Sequence, residues 1–166
     1  HPHAIVTSIE TSTALSFPGV IAVLTAKDVP TNEYGMIIYD QPVLCGPGST
    51  IQYANRSRCV GDQIAIVIAE TEKIAEKARD LIHVDYEPLS SFFDPEDGMK
   101  EGAPLIHPET DTNVFCHYKI RKGDVQKAFN RADIIVEGTY RTPVQEHVYL
   151  QPEAGVSYVD EEGRVT

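Results

Sequence analysis

The sequence predicts a mixed α/β (α+β) chain, and three adjoining segments carry the prediction. Residues 64–69 form an unbroken apolar run of strand length, bounded upstream by Gly61-Asp62. Thr71 stands where a helix N-cap belongs, and Ile74, Ala75, Ala78, Leu81 and Ile82 then recur on one helical face. His83-Val84-Asp85-Tyr86 alternates with period two and stops at Pro88. A strand–helix–strand unit results, and a right-handed crossover makes its two strands parallel neighbours.

The remaining elements follow in order. Residues 4–9 alternate as a short strand, and the hydroxyls of 11–13 suit the cap of one helical turn. Pro18-Gly19 turns the chain into a second strand at 20–24, followed by a brief helical turn at 25–28. Residues 31–58 hold Gly35, Pro42, Gly46, Pro47 and Gly48 without any sustained period, so they read as a long loop with a short strand at 36–39. A loop of that length is usually functional or buttressed by another chain. Residues 90–113 are again rich in Pro, Gly and acid. Beyond them, strands are expected at 114–120, 134–140 and 155–159, with a short helix after Gly123-Asp124 that buries Val125, Ala128 and Phe129.

Composition excludes several function classes. The chain has 166 residues, 42% hydrophobic and 23% charged, which is enough apolar content for a core. Its 14 Lys and Arg stand against 25 Asp and Glu, a net charge of −11 with no basic stripe to attract phosphate, so neither nucleic acid nor an anionic membrane is an expected partner. No apolar run approaches bilayer thickness. Three cysteines (Cys45, Cys59, Cys116) without C-x-x-C spacing point to a reducing, cytoplasmic setting, in which the Asn55-Arg56-Ser57 sequon is a coincidence. The opening at His1, without Met, is read as a cut end.

Few residues suggest chemistry. His1 and His3 lack the carboxylate neighbours that would complete a metal site. Cys59 lies beside Arg58 and near Arg56, and nearby cations favour a thiolate, although an inert thiol is the commoner case. Gly46-Pro47-Gly48 lacks the third glycine and preceding strand of a dinucleotide loop, and Asp94, Glu96 and Asp97 lack the alternating register of a calcium loop. Gln145-Glu146-His147 is the most suggestive triplet, since Glu146 and His147 both move protons near neutral pH. On a strand, adjacent side chains face opposite ways, and no nucleophile or oxyanion donor is identifiable for a hydrolase.

Taken together, several segments resemble the molybdenum-cofactor subunit of the xanthine dehydrogenase and aldehyde oxidase family. They are His1-Pro2-His3-Ala4, Ser8-Ile9-Glu10-Thr11-Ser12, Pro18-Gly19-Val20-Ile21-Ala22-Val23-Leu24-Thr25 and Val60-Gly61-Asp62-Gln63-Ile64-Ala65, with Gln63 in place of the family's usual Pro. Ala69-Glu70-Thr71, Val84-Asp85-Tyr86-Glu87-Pro88-Leu89, Lys122-Gly123-Asp124, Val136-Glu137-Gly138-Thr139-Tyr140, Gln145-Glu146-His147 and Pro152-Glu153-Ala154 continue the likeness. The resemblance implies an α/β hammerhead domain over 1–97, a linker over 98–115, and a truncated N-terminal part of the molybdopterin-binding domain over 116–166.

It also implies that the parent enzyme oxidises purines or aldehydes with water as oxygen source, on molybdopterin, and passes electrons to iron–sulfur and FAD groups on partner subunits or domains. The family's base glutamate and cofactor loops match nothing in this chain, so no catalytic, cofactor-binding or metal residue is assigned and the isolated piece is expected to be inactive. Glu146 matches the glutamate that contacts the purine in the purine-oxidising branch and is the one candidate substrate-binding residue. Gln151 departs from the family's usual Glu. The expected partners are the remainder of the molybdenum subunit and, through exposed strand edges, a second copy of the chain. The alternative is a free-standing, non-catalytic assembly or binding module with the hammerhead fold.

Overall fold

A computed structural model describes residues 1–145 and 155–165. Contacts divide the chain into two units, residues 1–118 and 119–166.

The first unit holds two small antiparallel sheets. β1 (Ala4–Glu10) is the centre strand of one, flanked by the two-residue β3 (Arg56–Ser57) and by β5 (His83–Pro88). β1 pairs with β5 from Ala4 opposite Pro88 to Glu10 opposite His83, with a bulge between Val6 and Ser8. β2 (Val20–Thr25) pairs with β4 (Ala65–Ala69) in the other sheet, with a second bulge that leaves Ile21 exposed. α1 (Ser12–Leu15) links β1 to β2, and α2 (Glu72–Arg79) follows β4 and packs on the β2–β4 sheet. The Thr71 hydroxyl accepts from the Ile74 N–H at 3.3 Å, the cap its position predicted. Thr11 makes no such bond; the Glu10 carboxylate accepts the Ser12 N–H at 2.7 Å instead. A 3-10 turn (Ala26–Asp28) closes β2 with a capping box between Thr25 and Asp28.

The mixed fold class is borne out, but the expected parallel neighbours are not. β4 and β5 lie in different sheets, each paired antiparallel to an earlier strand. The pairing sorts strands by pattern: the two apolar runs join each other, and the two alternating segments join each other. Each strand thereby keeps one covered face without a crossover. β4 is also not buried on both sides, since Ile66 and Ile68 are 43% and 40% exposed. Its outer face has no second layer among the described residues.

The core of this unit is built from small side chains and one large one: Ala4, Val6, Ala14, Ala26, Ala54, Ala78 and Leu44 are buried. The loop 31–58 supplies much of it. Cys45 N–H donates to the Gln63 carbonyl at 2.6 Å, Gly46 N–H to Ala54 at 3.0 Å, and Val6 N–H to Asn55 at 2.8 Å. Buried Asn32 grips Leu44 twice, its Nδ2 donating to the Leu44 carbonyl at 2.9 Å and its Oδ1 accepting the Leu44 N–H at 2.8 Å. The expected strand at 36–39 is absent. Tyr34 and Gln41 bond to each other, but the ladder stops there because a tight turn follows at Gly35, where a Cβ would overlap the Ile38 carbonyl oxygen. The strand in this stretch is β3, which carries no pattern because it is only two residues long.

Residues 95–98 form a helical turn, α3 (Pro95–Gly98), capped by the Asp94 carboxylate. In the second unit, α4 (Val125–Arg131) begins at Asp124, whose carboxylate accepts the Lys127 N–H at 2.9 Å. Its expected buried face is exposed, Val125 at 65% and Phe129 at 52%. The strands expected at 114–120 and 134–140 do not form among the described residues, and 155–159 contributes only a bridge between Val159 and Val165. Alternation records where side chains prefer to be buried, whereas a strand also needs a partner to accept its backbone N–H groups.

Candidate functional site

A cleft of about 920 Å³ opens in the first unit between the loop at 33–42, the turn at 50–54 and the segment 106–115. Its lining is mainly apolar, with Ile38, Tyr39, Ile51, Val114 and Phe115, and a smaller cavity of about 420 Å³ shares Asp40, Gln41, Pro42, Arg58 and His107 with it. Volumes in this range, with apolar walls and a few polar groups, characterise binding clefts.

Arg58 organises the cleft. The Asp62 carboxylate accepts the backbone N–H of Arg58 at 2.6 Å and of Cys59 at 3.3 Å, which closes a turn and directs the Arg58 side chain inward. Its Nε donates to the Ile106 carbonyl at 3.3 Å, and its guanidinium faces the Glu109 carboxylate at 3.6 Å. His107 Nδ1 meets the same carboxylate at 2.9 Å. Burial works to raise the Glu109 carboxyl, but its own backbone N–H, His107 and the Arg58 charge hold it below the usual range. Asn113 completes the clasp: its Oδ1 accepts the Ile106 N–H at 2.9 Å, and its Nδ2 donates to the Gly98 and Pro104 carbonyls, each at 3.0 Å. Arg56 reaches the Leu105 carbonyl at 3.5 Å, while its Nε is buried without a partner.

Residues singled out from sequence fare differently. Glu146, His147 and Gln151 lie outside the described residues. His3 is buried, with Nδ1 2.6 Å from the Ser90 carbonyl, and His1 packs its ring against Tyr86 at 5.1 Å. Among the described residues no three His, Cys, Asp or Glu side chains converge as a metal site would require. Gly46-Pro47-Gly48 is a turn that packs against β1, where a Cβ on Gly46 would lie 2.7 Å from Ile9 Cδ1. Asp97 pairs with Lys100 on the surface.

Cys59 is held towards its thiol form. Its Sγ donates to Asp62 Oδ1 at 3.0 Å, and this bond raises the thiol pKa despite the adjoining arginines. The commoner, inert reading agrees with this geometry, in which the group bonded to the thiol is a carboxylate and not one of the neighbouring cations. Burial, with Asp62 close by, pushes the Cys45 thiol up to about 12. A thiol in an unfolded chain ionises near about 8.5. The unfolded state therefore releases this proton first, so stability is complete below that pH and falls as pH rises from there towards 12. Melting temperature is expected to fall from about pH 8 to about pH 10.5, and to fall less in Cys45→Ala. At about pH 8, a thiol reagent is expected to label exposed Cys59 and Cys116 in the native state and Cys45 only in denaturant, with Cys59 labelling faster in Asp62→Asn. Native labelling of Cys45 would contradict its burial.

Ser8, Asp85 and His83 meet where β1 pairs with β5. Ser8 Oγ donates to Asp85 Oδ2 at 2.7 Å and His83 Nε2 meets Asp85 Oδ1 at 3.2 Å, so the carboxylate stands between serine and imidazole and activates neither as a nucleophile pair. Sequence reasoning flagged the loop 31–58 but not the clasp, because Arg58 and its partners at 106–113 are joined only by the fold.

Comparison with known proteins places these elements. Residues 1–90 match the model of the aldehyde oxidase and xanthine dehydrogenase a/b hammerhead domain, and residues 106–166 match the molybdopterin cofactor-binding domain. The chain is 41% identical over its whole length to a probable xanthine dehydrogenase subunit of Bacillus subtilis, covering 21% of that protein. It is 39% identical to the nicotinate dehydrogenase large molybdopterin subunit of Eubacterium barkeri, over 99% of this chain and 37% of that one. In structure it superposes on the aldehyde oxidoreductase of Desulfovibrio desulfuricans with a TM-score of 0.81 at 30% identity, over 99% of this chain and 18% of the other. It thus spans between about a fifth and somewhat over a third of these relatives' lengths. On the hammerhead match, which covers more than half of its residues, the chain belongs to the aldehyde oxidase and xanthine dehydrogenase family.

Proposed function

We propose that this chain is the hammerhead and adjoining portion of the molybdenum subunit of a hydroxylase that oxidises purines or aldehydes with water as the oxygen source. In this reading residues 1–97 are the hammerhead domain, 98–115 the linker and 116–166 the first part of the cofactor domain. The isolated chain is structural and inactive. What carries the reading is the likeness to molybdenum-enzyme subunits along the whole chain, in both sequence and backbone. Iron–sulfur and FAD groups on partner subunits would receive the electrons. A cytoplasmic site agrees with three unpaired thiols, and no described helix is long and apolar enough to cross a membrane.

Residues 106–166 match the molybdopterin cofactor-binding domain, and the described ones among them form no cradle for that group. A cradle for it would need buried polar donors aimed at open space, and in the second unit no described side chain offers one; the two buried, unpartnered polar atoms, His3 Nε2 and Arg56 Nε, lie in the first unit. No reaction step is therefore assigned to described residues. Glu146 remains the candidate for substrate recognition, where a carboxylate would accept a charge-assisted hydrogen bond from a heterocycle N–H. In the enzyme that contains this chain, Glu146→Gln is expected to lower kcat/KM for a purine by about 10- to 100-fold and to leave an aldehyde within about twofold. An unchanged purine rate would remove Glu146 from the site, and an enzyme that oxidises neither class would overturn the reading.

A further inference from the structure

The two family matches and the two contact units divide the chain at different places. The cofactor-domain match begins at residue 106, whereas the first unit runs to residue 118, so 106–118 belongs to one domain by sequence and to the other by contact. No helix or strand is described from 99 to 124, so side chains must satisfy much of the backbone there. Between 98 and 113 they do. Arg58 Nε and Arg56 Nη1 donate to the successive carbonyls of Ile106 and Leu105 at 3.3 and 3.5 Å, and the Arg58 guanidinium also faces Glu109 at 3.6 Å. Asn113 accepts the Ile106 N–H and donates to the Gly98 and Pro104 carbonyls, which ties the stretch to itself. The Arg58 side chain is 15% exposed, so its contact is an interior one.

We propose that residues 104–114 are a strap, latched to the hammerhead by Arg58 and tied to itself by Asn113, that carries hammerhead order into the opening of the cofactor-domain stretch. The latch needs an arginine. A planar guanidinium donates to a carbonyl and faces a carboxylate at the same time, which a single ammonium does not reproduce. Its base is fixed as well, because the Asp62 carboxylate closes the turn at Arg58 and Cys59 from which the side chain departs. Without these holds, a stretch rich in Pro, Gly and acid would behave as an open linker, quick to exchange its amide hydrogens. The inference rests on the domain matches and on contacts inside the first unit. It does not rest on the chemistry proposed above, so an enzyme that oxidises neither purine nor aldehyde leaves it standing.

The test is amide hydrogen exchange, followed by mass spectrometry, in the protein that contains this chain, with peptides over 104–114 and over α2 read side by side. The Ile106 and Thr110 N–H groups donate to Asn113 Oδ1 and the His107 carbonyl, so the wild-type strap should exchange about tenfold or more slower than unstructured chain. Arg58→Ala should speed exchange of the strap by about tenfold or more and leave α2 within about twofold. Arg58→Lys retains the charge that faces Glu109 but not the Nε donor to Ile106, so its strap should exchange at a rate between wild type and Arg58→Ala. If Arg58→Ala loosens α2 too, Glu109→Gln decides, since it removes one ion pair and no core group: the strap alone should then exchange about two- to fivefold faster. A wild-type strap that exchanges like unstructured chain would overturn the proposal. So would a strap indifferent to Arg58→Ala or, where that variant loosens α2, to Glu109→Gln.

Discussion

Asn32→Leu is expected to be among the most damaging single changes in the first unit. Asn32 is 1% exposed, and its amide group holds both the N–H and the carbonyl of Leu44 at 2.8 and 2.9 Å. Leucine repeats the branching at Cγ with bulkier methyl groups, so the space stays filled, but two buried backbone groups lose their partners. Each such loss costs about 1–3 kcal/mol, about 2–6 kcal/mol together. Against a total stability of about 5–15 kcal/mol for an ordinary domain, this removes a large share. With a urea dependence of about 1–3 kcal/mol per molar, the denaturation midpoint should drop by about 1–3 M. Asn32→Asp keeps the acceptor for the Leu44 N–H but sets a buried carboxylate oxygen against the Leu44 carbonyl, so it too should lower the midpoint. A midpoint unchanged in both variants would show that the 31–58 loop does not depend on this pair.

Leu44→Ala tests the same anchor from the apolar side. Leu44 is the largest fully buried side chain described, in a core otherwise made mostly of alanines and Val6. So small a core has few large groups that can move in to fill the space, and the truncation should cost about 2–5 kcal/mol. Because Asn32 and Leu44 are bonded partners, the double variant should be less damaging than the sum of the two single ones. Strict additivity would mean that they anchor the loop independently. Loss of this anchor should also open the cleft, since its wall at 38–42 is held through Leu44 to the rest of the unit.

Elements whose sequence carries its own local instruction were legible. Thr71 announced α2 and Asp124 announced α4, because a cap needs only a side chain and the backbone two or three residues on. β1, β2, β4 and β5 were legible from apolar runs and alternation. Their pairing was not, because a period describes one strand while a sheet is a relation between two; the crossover rule would join β4 to β5, and both found antiparallel partners earlier in the chain. β3 is too short to show a period, and residues 134–140 show one without forming a strand. At the candidate site, Cys59 illustrates the same limit. Its sequence neighbours are arginines, whereas the group that sets its proton is Asp62, three residues on and folded back beneath it. The clasp of Arg58, Glu109, His107 and Asn113 had no sequence signal, and Glu146 was recognisable only through a resemblance to relatives.

The most direct measurement is the molybdenum content of the 166-residue chain, purified from a host that makes molybdopterin and assayed beside a metal-free control protein. No molybdenum above the control is expected, and no oxidation of purine or aldehyde, since the chain spans only between about a fifth and somewhat over a third of its relatives' lengths. Molybdenum approaching one atom per chain, or turnover by the chain alone, would contradict that reading.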